Sequence, residues 1–331
     1  MGGRRGEGAA RAHRTHREPR AGRHARRAAG ARAVTALSPP LQAPEAIDIT
    51  ALTTAARLLV ALDFDGVIAP LQDDPSTSTP VAESATAVEA LAALPGTAVG
   101  YISGRDVAAL KDLSRAPARA LFVGSHGVEQ DFTGLAAGGP AGAPATTSAG
   151  SPDPNDPFRY SAAPDAGERA LLERLDAEFE RITEATPATG YGELRIERKP
   201  LGATFHTRGC SPERAEFFTA ELRRFASAHP ELRSLTGHDM VEFGVRMHTK
   251  GDGLDTMIER AQATAALYIG DDTTDEDAFA HLADRQDSGF PGLSIRVGTA
   301  DTRAQARLGS TDDVAAFLTR LSRERAAHVG G

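Results

Sequence analysis

Residues 58–62 read LLVAL, an apolar run with no polar interruption that stops at Asp63 and is followed by the turn residue Gly66. A run of that length bounded by turn chemistry is a buried strand feeding a loop. Residues 81–94 then show helical spacing, with Val81, Ala85, Val88, Leu91 and Leu94 on one face and Pro95-Gly96 as a stop. A second strand, 98–102, ends at Ser103-Gly104-Arg105; a helix over 106–113 and a strand over 120–123 follow. This alternation predicts a parallel sheet with covering helices. The pattern returns after Lys250, with a helix over 251–262 and a strand over 265–269 that runs into Gly270-Asp271-Asp272. A helix at 276–282, a strand at 293–297 and a helix at 312–325 complete it.

Between the two halves the order changes. Helical spacing over 168–184 precedes strands at 194–198 and 203–207, a helix over 212–229, and strands at 232–235 and 240–243. That order describes a small α+β unit, so the expected fold class is α/β: a core interrupted by an inserted α+β cap. Residues 134–157 are dominated by Ala, Gly, Pro, Ser and Thr, the composition of a flexible segment. The first 33 residues are rich in Arg, Gly, Ala and His and nearly free of large apolar side chains, too little to offset the entropy of ordering them. The expected divisions are a disordered basic tail (1–45), a first core part (46–133), the flexible segment (134–157), the cap (158–244) and a second core part (245–331).

Charge and composition narrow the function classes. A net charge of −8 gives the chain as a whole no electrostatic reason to bind nucleic acid, although the tail has the character of a basic arm. No apolar stretch approaches a membrane span, and the single cysteine, Cys210, excludes an internal disulfide framework and a Cys-rich metal site. The expected location is the cytoplasm.

The chemistry sits at the ends of the expected strands. Asp63 and Asp65 flank Phe64 where the first strand becomes a loop, the edge of an open α/β sheet where ligands bind. At such a bend the two carboxylates can converge, one to attack phosphorus and the other to handle the leaving group's proton. A phosphate ester is already anionic, so this needs a cation, and Mg²⁺ suits a few carboxylates together with phosphate oxygens. A second acidic cluster, Asp271, Asp272 and Asp275, ends another strand, and two such clusters at equivalent strand ends point to a shared metal site. Ser103 can donate to a phosphate oxygen, and Lys250, just before a helix, can neutralise carboxylates and a transferring phosphoryl group.

The ordered set Asp63-x-Asp65-Gly66, Ser103-Gly104-Arg105, Lys250-Gly251 and Gly270-Asp271-Asp272-x-x-Asp275 resembles the haloacid dehalogenase superfamily, over nearly everything from Leu58 to the last helix. The resemblance implies a doubly wound parallel-sheet core, with Asp63 as nucleophile and Asp65 as general acid and then base. It further implies Mg²⁺ held by the Asp63 side chain, the Asp65 backbone carbonyl and Asp271. Asp272 and Asp275 would be additional ligands through water or partners orienting Lys250. Aspartate at 65 places the chain with the phosphatase and phosphomutase branches. Ser125-His126-Gly127-Val128-Glu129, Glu197-Arg198-Lys199-Pro200, His206-x-Arg208, Val241-Glu242 and the run from Gly270 to Phe279 are similar to the trehalose-6-phosphate phosphatase family. That similarity implies a sugar phosphate as substrate, with Glu197, Lys199 and Glu242 binding the sugar from the cap and Arg105, His126 and Glu129 assisting from the core. It also implies a trehalose-6-phosphate synthase as functional partner. The competing expectations are a phosphatase or mutase of the same superfamily acting on another sugar phosphate, and a non-catalytic sugar-phosphate sensor with a damaged catalytic set.

Overall fold

A single turn of helix, α1 (Thr50–Thr53), leads into β1 (Leu58–Leu62), the LLVAL run, buried at every position. The computed structural model describes residues 38–135, 152–153, 156–160, 164–184, 194–199, 201–237, 239–246 and 248–330. From β1 the chain passes through α2 (Ala82–Ala93), β2 (Thr97–Ile102), α3 (Val107–Ser114), β3 (Leu121–Gly124) and β4 (Glu129–Asp131). Two further strands follow, β5 (Pro152–Asp153) and β6 (Asp156–Tyr160). Next come α4 (Ala166–Glu184), β7 (Arg195–Lys199), β8 (Gly202–His206), α5 (Pro212–Ala228), β9 (Arg233–Gly237) and β10 (Met240–Gly244). The last stretch is α6 (Lys250–Arg260), β11 (Ala265–Gly270), α7 (Asp275–Asp287), β12 (Gly292–Val297), β13 (Ala306–Leu308) and α8 (Thr311–Val329).

Nine strands form the core sheet in the order β13-β12-β11-β1-β2-β3-β4-β6-β5. Every pairing from β13 to β3 is parallel, and β4, β6 and β5 close one edge antiparallel. Because β1 is central, its side chains feed two cores. Leu58, Val60 and Leu62 pack with residues of α2 and α8, while Leu59 and Ala61 pack with residues of α6 and α7. Helices therefore cover both faces, the doubly wound arrangement expected of the core. The chain order reverses direction between β1 and β11, so the carboxyl ends of these two strands frame the crevice of the sheet.

Four strands form a second, antiparallel sheet in the order β7-β8-β10-β9. Ala203, Phe205, Val241 and Phe243 pack with Leu175 and Ile182 of α4 and Phe218 and Leu222 of α5. Alternation sends the intervening residues to the other face. There Glu197, Thr204 and Glu242 lie directly opposite one another on β7, β8 and β10, forming a polar row.

Two boundaries differ from expectation. The basic tail (1–45) joins the core before its expected end: the Gln42 N–H donates to the Arg307 carbonyl of β13. Residues 1–37 lie outside the described residues. The stretch 134–157 likewise does not read uniformly as a linker. Residues 136–151 fall outside the described residues, but β5 and the start of β6 lie in its last part, and β6 pairs with β4 on the core sheet.

One buried charge holds the start of the core to its end. Arg325 of α8 is fully buried and donates from Nε to Thr97 Oγ1 at 2.6 Å, from Nη1 to the Leu52, Thr53 and Ala55 carbonyls, and from Nη2 to the Gly96 carbonyl at 2.8 Å. Besides Thr97 Oγ1 its partners are backbone carbonyls at and just after the end of α1 and at Gly96, which also accepts from the Leu58 N–H, so removing it takes a donor from several acceptors at once. Arg325→Met is expected to lower unfolding free energy by about 2–4 kcal/mol. Urea unfolding checks this, with a reduced midpoint at unchanged slope as the expected result.

Candidate active site at the carboxyl edge of the core sheet

Three strand ends and one helix start converge here. Asp63 follows β1, Ser103 follows β2 and Asp271 follows β11, while Lys250 opens α6. Thr249 caps α6 in a reciprocal box with Asp252, which fixes the first turn and the direction of Lys250. Lys250 is 2% exposed, and its Nζ donates to Asp63 Oδ2 at 2.6 Å and to Asp275 Oδ1 at 2.8 Å. Burial alone would favour the neutral amine, but Asp275 and Asp63 outweigh it and hold Lys250 protonated well above the usual lysine range.

Asp275 is saturated. Its Oδ1 accepts from Lys250 and from the Tyr268 hydroxyl at 2.6 Å, and its Oδ2 accepts from the Asp271 and Asp272 backbone N–H groups at 3.0 and 2.8 Å. Against its burial these bonds hold its pKa below the ordinary value. Of the two expectations for Asp275, the geometry matches the orienting one: it fixes Lys250 and the acidic loop together. Asp272 is exposed, and its carboxylate accepts from the Thr273 N–H. Its carbonyl is held by Arg296 at 2.8 Å.

Asp63, Asp271 and Asp275 can bring carboxylate oxygens within 4.8 Å of one another. Burial pushes Asp63 well up, with Asp275 and Asp271 adding to it and Lys250 opposing. Burial and Asp275 push Asp271 up to about 7. Three clustered carboxylates with one ammonium between two of them leave a deficit of positive charge, and every donor is a hard oxygen. The set fits a small divalent cation. Since Asp275 has no acceptor position to spare, Asp63 and Asp271 are the side chains available to one. Gly66 makes this approach possible: a Cβ there would sit 2.0 Å from Asp271 Oδ2, and the residue's φ of +76° suits glycine independently.

Asp65 is engaged differently. Its Oδ2 accepts from Arg105 Nε at 2.5 Å, and its Oδ1 accepts from Arg105 Nη2 at 2.8 Å and Ser78 Oγ at 2.9 Å. Its side chain is outside the acidic cluster. Ser103 is buried, and its Oγ accepts from the Arg105 N–H at 3.2 Å.

A cleft of about 640 Å³ opens above these groups. Asp63, Asp65, Ser103, Arg105, His126, Lys250, Asp271 and Asp272 line one side, and Glu197, Arg198, Lys199 and Glu242 of the second sheet line the other. Glu242 is the hub of that wall, 6% exposed and bonded to Lys199 Nζ at 2.8 Å, His126 Nε2 at 3.2 Å, Thr204 Oγ1 at 3.3 Å and Arg233 Nη1 at 3.3 Å. Burial would raise its pKa, but the His126 bond and the Lys199 charge reverse that and hold it ionised. The same burial holds His126 below the usual histidine range despite Glu242. Glu197 pairs with His206 at 3.0 Å, which lowers its pKa.

Glu129 departs from expectation. It does not line the cleft; its carboxylate accepts from the Val107 N–H at 3.0 Å and the Ser125 hydroxyl at 2.7 Å. Ser125 and His126 both have positive φ, near +50°, an unfavourable backbone for non-glycine residues. Glu129 braces that turn, which aims His126 across to Glu242. Ser78, Arg233 and Tyr268 belong to the network but carry no motif of their own. Glu129 sits inside a motif whose spacing does not reveal which way its side chain turns.

The sequence model of the trehalose-phosphatase family matches residues 61–312. The chain belongs to this family. Among curated proteins it is 31% identical over 272 residues to a trehalose-phosphate phosphatase of Mycobacterium avium, covering 80% of this chain and 61% of that protein. It is 29% identical over 280 residues to one of Mycobacterium marinum, covering 81% of this chain and 62% of that protein. The chain thus spans less than two thirds of the length of these relatives. Among solved structures, the C-terminal domain of C. albicans trehalose-6-phosphate phosphatase shares the fold with a TM-score of 0.66 at 20% identity, over 87% of this chain and 99% of that one.

The raised pKa of Asp271 has a thermodynamic consequence. Its folded state keeps a proton that the unfolded chain gives up near pH 4, so its contribution to stability falls as pH rises from about 4 to about 7. In chelator, the wild type is expected to lose up to about 4 kcal/mol relative to Asp271→Asn between pH 4 and pH 8. A divalent cation should restore the wild type at pH 8 and leave Asp271→Asn nearly unmoved. Urea unfolding at several pH values, with and without the cation, measures both.

Proposed function

We propose that the chain is a Mg²⁺-dependent phosphatase that hydrolyses trehalose 6-phosphate to trehalose and phosphate. The observation that carries this is the Asp63–Lys250–Asp275 array beside Asp271, on the floor of a cleft whose opposite wall presents Glu197, Lys199 and Glu242. Family membership supports the substrate class. The intact catalytic set weighs against a sensor.

Asp63 supplies the nucleophile. Its carboxylate oxygen attacks phosphorus while the bond from phosphorus to the sugar oxygen breaks, and the departing oxygen takes a proton from Asp65. Water then attacks the phospho-aspartate, giving its proton to the Asp65 carboxylate as the bond to Asp63 breaks and phosphate forms. Lys250 holds Asp63 in place and offsets charge at the transferring group, and Ser103 supplies a hydroxyl to a phosphate oxygen. The side chains of Asp63 and Asp271 and the backbone carbonyl of Asp65 would hold Mg²⁺, which when bound supplies the positive charge that lets a carboxylate approach a phosphate dianion. Asp275 keeps Lys250 and the 271–272 backbone in register, and Asp272 lies at the edge of that loop.

The second sheet with α4 and α5 acts as the cap between the two core parts; of the expected cap (158–244), residues 158–160 belong instead to β6 on the core sheet. Glu197 and Lys199 bind sugar hydroxyls from the cap, and Glu242, with two donors on each oxygen, holds Lys199 in place while His126 reaches Glu242 from the core. Closure excludes water from the phosphorus centre. The enzyme acts in the cytoplasm on the product of a trehalose-6-phosphate synthase. Among the described residues no helix is long and apolar enough to cross a membrane.

Phosphate release from a panel of sugar phosphates, with and without Mg²⁺, tests the assignment. Trehalose 6-phosphate is expected to be the preferred substrate, with activity lost in chelator and reduced by roughly 10³-fold or more in Asp63→Asn. Glu197→Ala should lower turnover of trehalose 6-phosphate far more than that of an aryl phosphate. Turnover of other sugar phosphates in its place would overturn the reading of the cap.

A further inference from the structure

We propose that Arg105 and Ser78 form a clasp that positions Asp65 for proton transfer, and that Oδ2 of Asp65 is the atom that carries the proton. This rests on the assignment of Asp65 as acid and base and deepens it. It also moves Arg105 from the sugar to the catalytic carboxyl.

The argument is one of acceptor positions. A carboxylate offers about four, two on each oxygen. On Asp65, Oδ1 accepts from Ser78 Oγ and from Arg105 Nη2, so it is full, whereas Oδ2 accepts from Arg105 Nε alone. The remaining position is on Oδ2, in a side chain that lines the cleft. A bidentate guanidinium holds a carboxyl plane more rigidly than a single donor, and proton transfer depends on that plane. The same contacts serve both protonation states. Oδ1 stays the acceptor of two donors while Oδ2 gives its proton to the sugar oxygen in the first step and takes one from water in the second.

Arg105 is itself held. Its Nη2 also donates to the Pro75 carbonyl at 2.8 Å and approaches Ser78 Oγ at 3.0 Å, and its guanidinium lies 5.6 Å from the centre of the Phe64 ring. Asp74 accepts from the Ser76 N–H at 3.0 Å, which shapes the turn that presents both Pro75 and Ser78. The segment after β1 therefore returns to clamp the residue at its own start. The Nε and Nη2 donors of Arg105 are thus directed at Asp65 and the loop.

The experiment compares Ser78→Ala and Arg105→Gln, each in the wild type and in Asp65→Asn, on two substrates. One is trehalose 6-phosphate, or whichever sugar phosphate the wild type turns over, whose alkoxide must be protonated as it leaves. The other is p-nitrophenyl phosphate, whose leaving group departs unaided. In the wild-type background kcat/KM on the sugar phosphate is expected to fall about 10- to 100-fold and on the aryl phosphate by less than about threefold. In Asp65→Asn neither substitution should lower kcat/KM on the sugar phosphate further, because the group they position has lost its proton. A further fall there would mean an independent contact with substrate, and equal falls on both substrates would mean structural support; either overturns the clasp. Asp63→Asn run alongside separates the two levels, since activity surviving it overturns the phospho-aspartate reading itself.

Discussion

Everything at the carboxyl edge of the core sheet depends on one buried ammonium. Lys250 stands at the start of α6, where the helix dipole disfavours a cation, and it is almost wholly out of water. Both costs are offset only by carboxylates at hydrogen-bond distance, and Asp63 and Asp275 provide them. The pairing ties the start of α6 to the end of β1, 187 residues away in sequence, and to the first residue of α7. Removing either carboxylate would leave Lys250 with one anion at hydrogen-bond distance in place of two. The electrostatics that would serve a phosphoryl transfer thus also fix the spacing of the strand ends.

Legibility in the sequence followed burial. β1 and β11 could be read directly because a strand covered on both faces must be apolar throughout, and the aspartates stand out where those runs end. β4 reads Glu-Gln-Asp and β13 reads Ala-Arg-Leu, three residues each, and neither is apolar enough to mark a strand. They are strands because neighbours supply partners, as Phe122 to Gly124 do for β4 and Ile295 to Val297 for β13. β5 and β6 were hidden for the same reason, in or beside a composition that reads as linker. The polar row of the second sheet was legible residue by residue, since Glu197 and Lys199 alternate, but its registry with Thr204 and Glu242 needed the pairing. What no local pattern revealed was the direction of a side chain. Glu129 and Arg105 sit in recognisable motifs, yet one braces a strained turn and the other grips Asp65.

The two walls of the cleft solve different electrostatic problems. Glu242 is buried beside Lys199 and Arg233 of its own sheet, so its charge is matched by the wall itself, and His126 meets it from the core. Such a carboxylate is rigid and stays ionised, and with two donors already on each oxygen it orients Lys199 and His126 at the cleft rather than carrying a proton. The floor is the opposite case. Asp63 and Asp271 are both pushed toward the protonated form, first by burial and then by neighbouring carboxylates that Lys250 only partly offsets.

That asymmetry orders events. A phosphate dianion approaching the floor alone meets carboxylates that Lys250 only partly neutralises, and the repulsion is large at low local dielectric. A divalent cation held by Asp63 and Asp271 would bring the floor close to neutral and favour the ionised, nucleophilic form of Asp63. The wall needs no such step. On these grounds a cation would have to be in place before the phosphate, whereas a sugar would meet Glu197 and Lys199 regardless of whether the floor is loaded. Affinity for the uncharged sugar should then be nearly independent of the cation, and only the phosphate-bearing ligand should feel its presence.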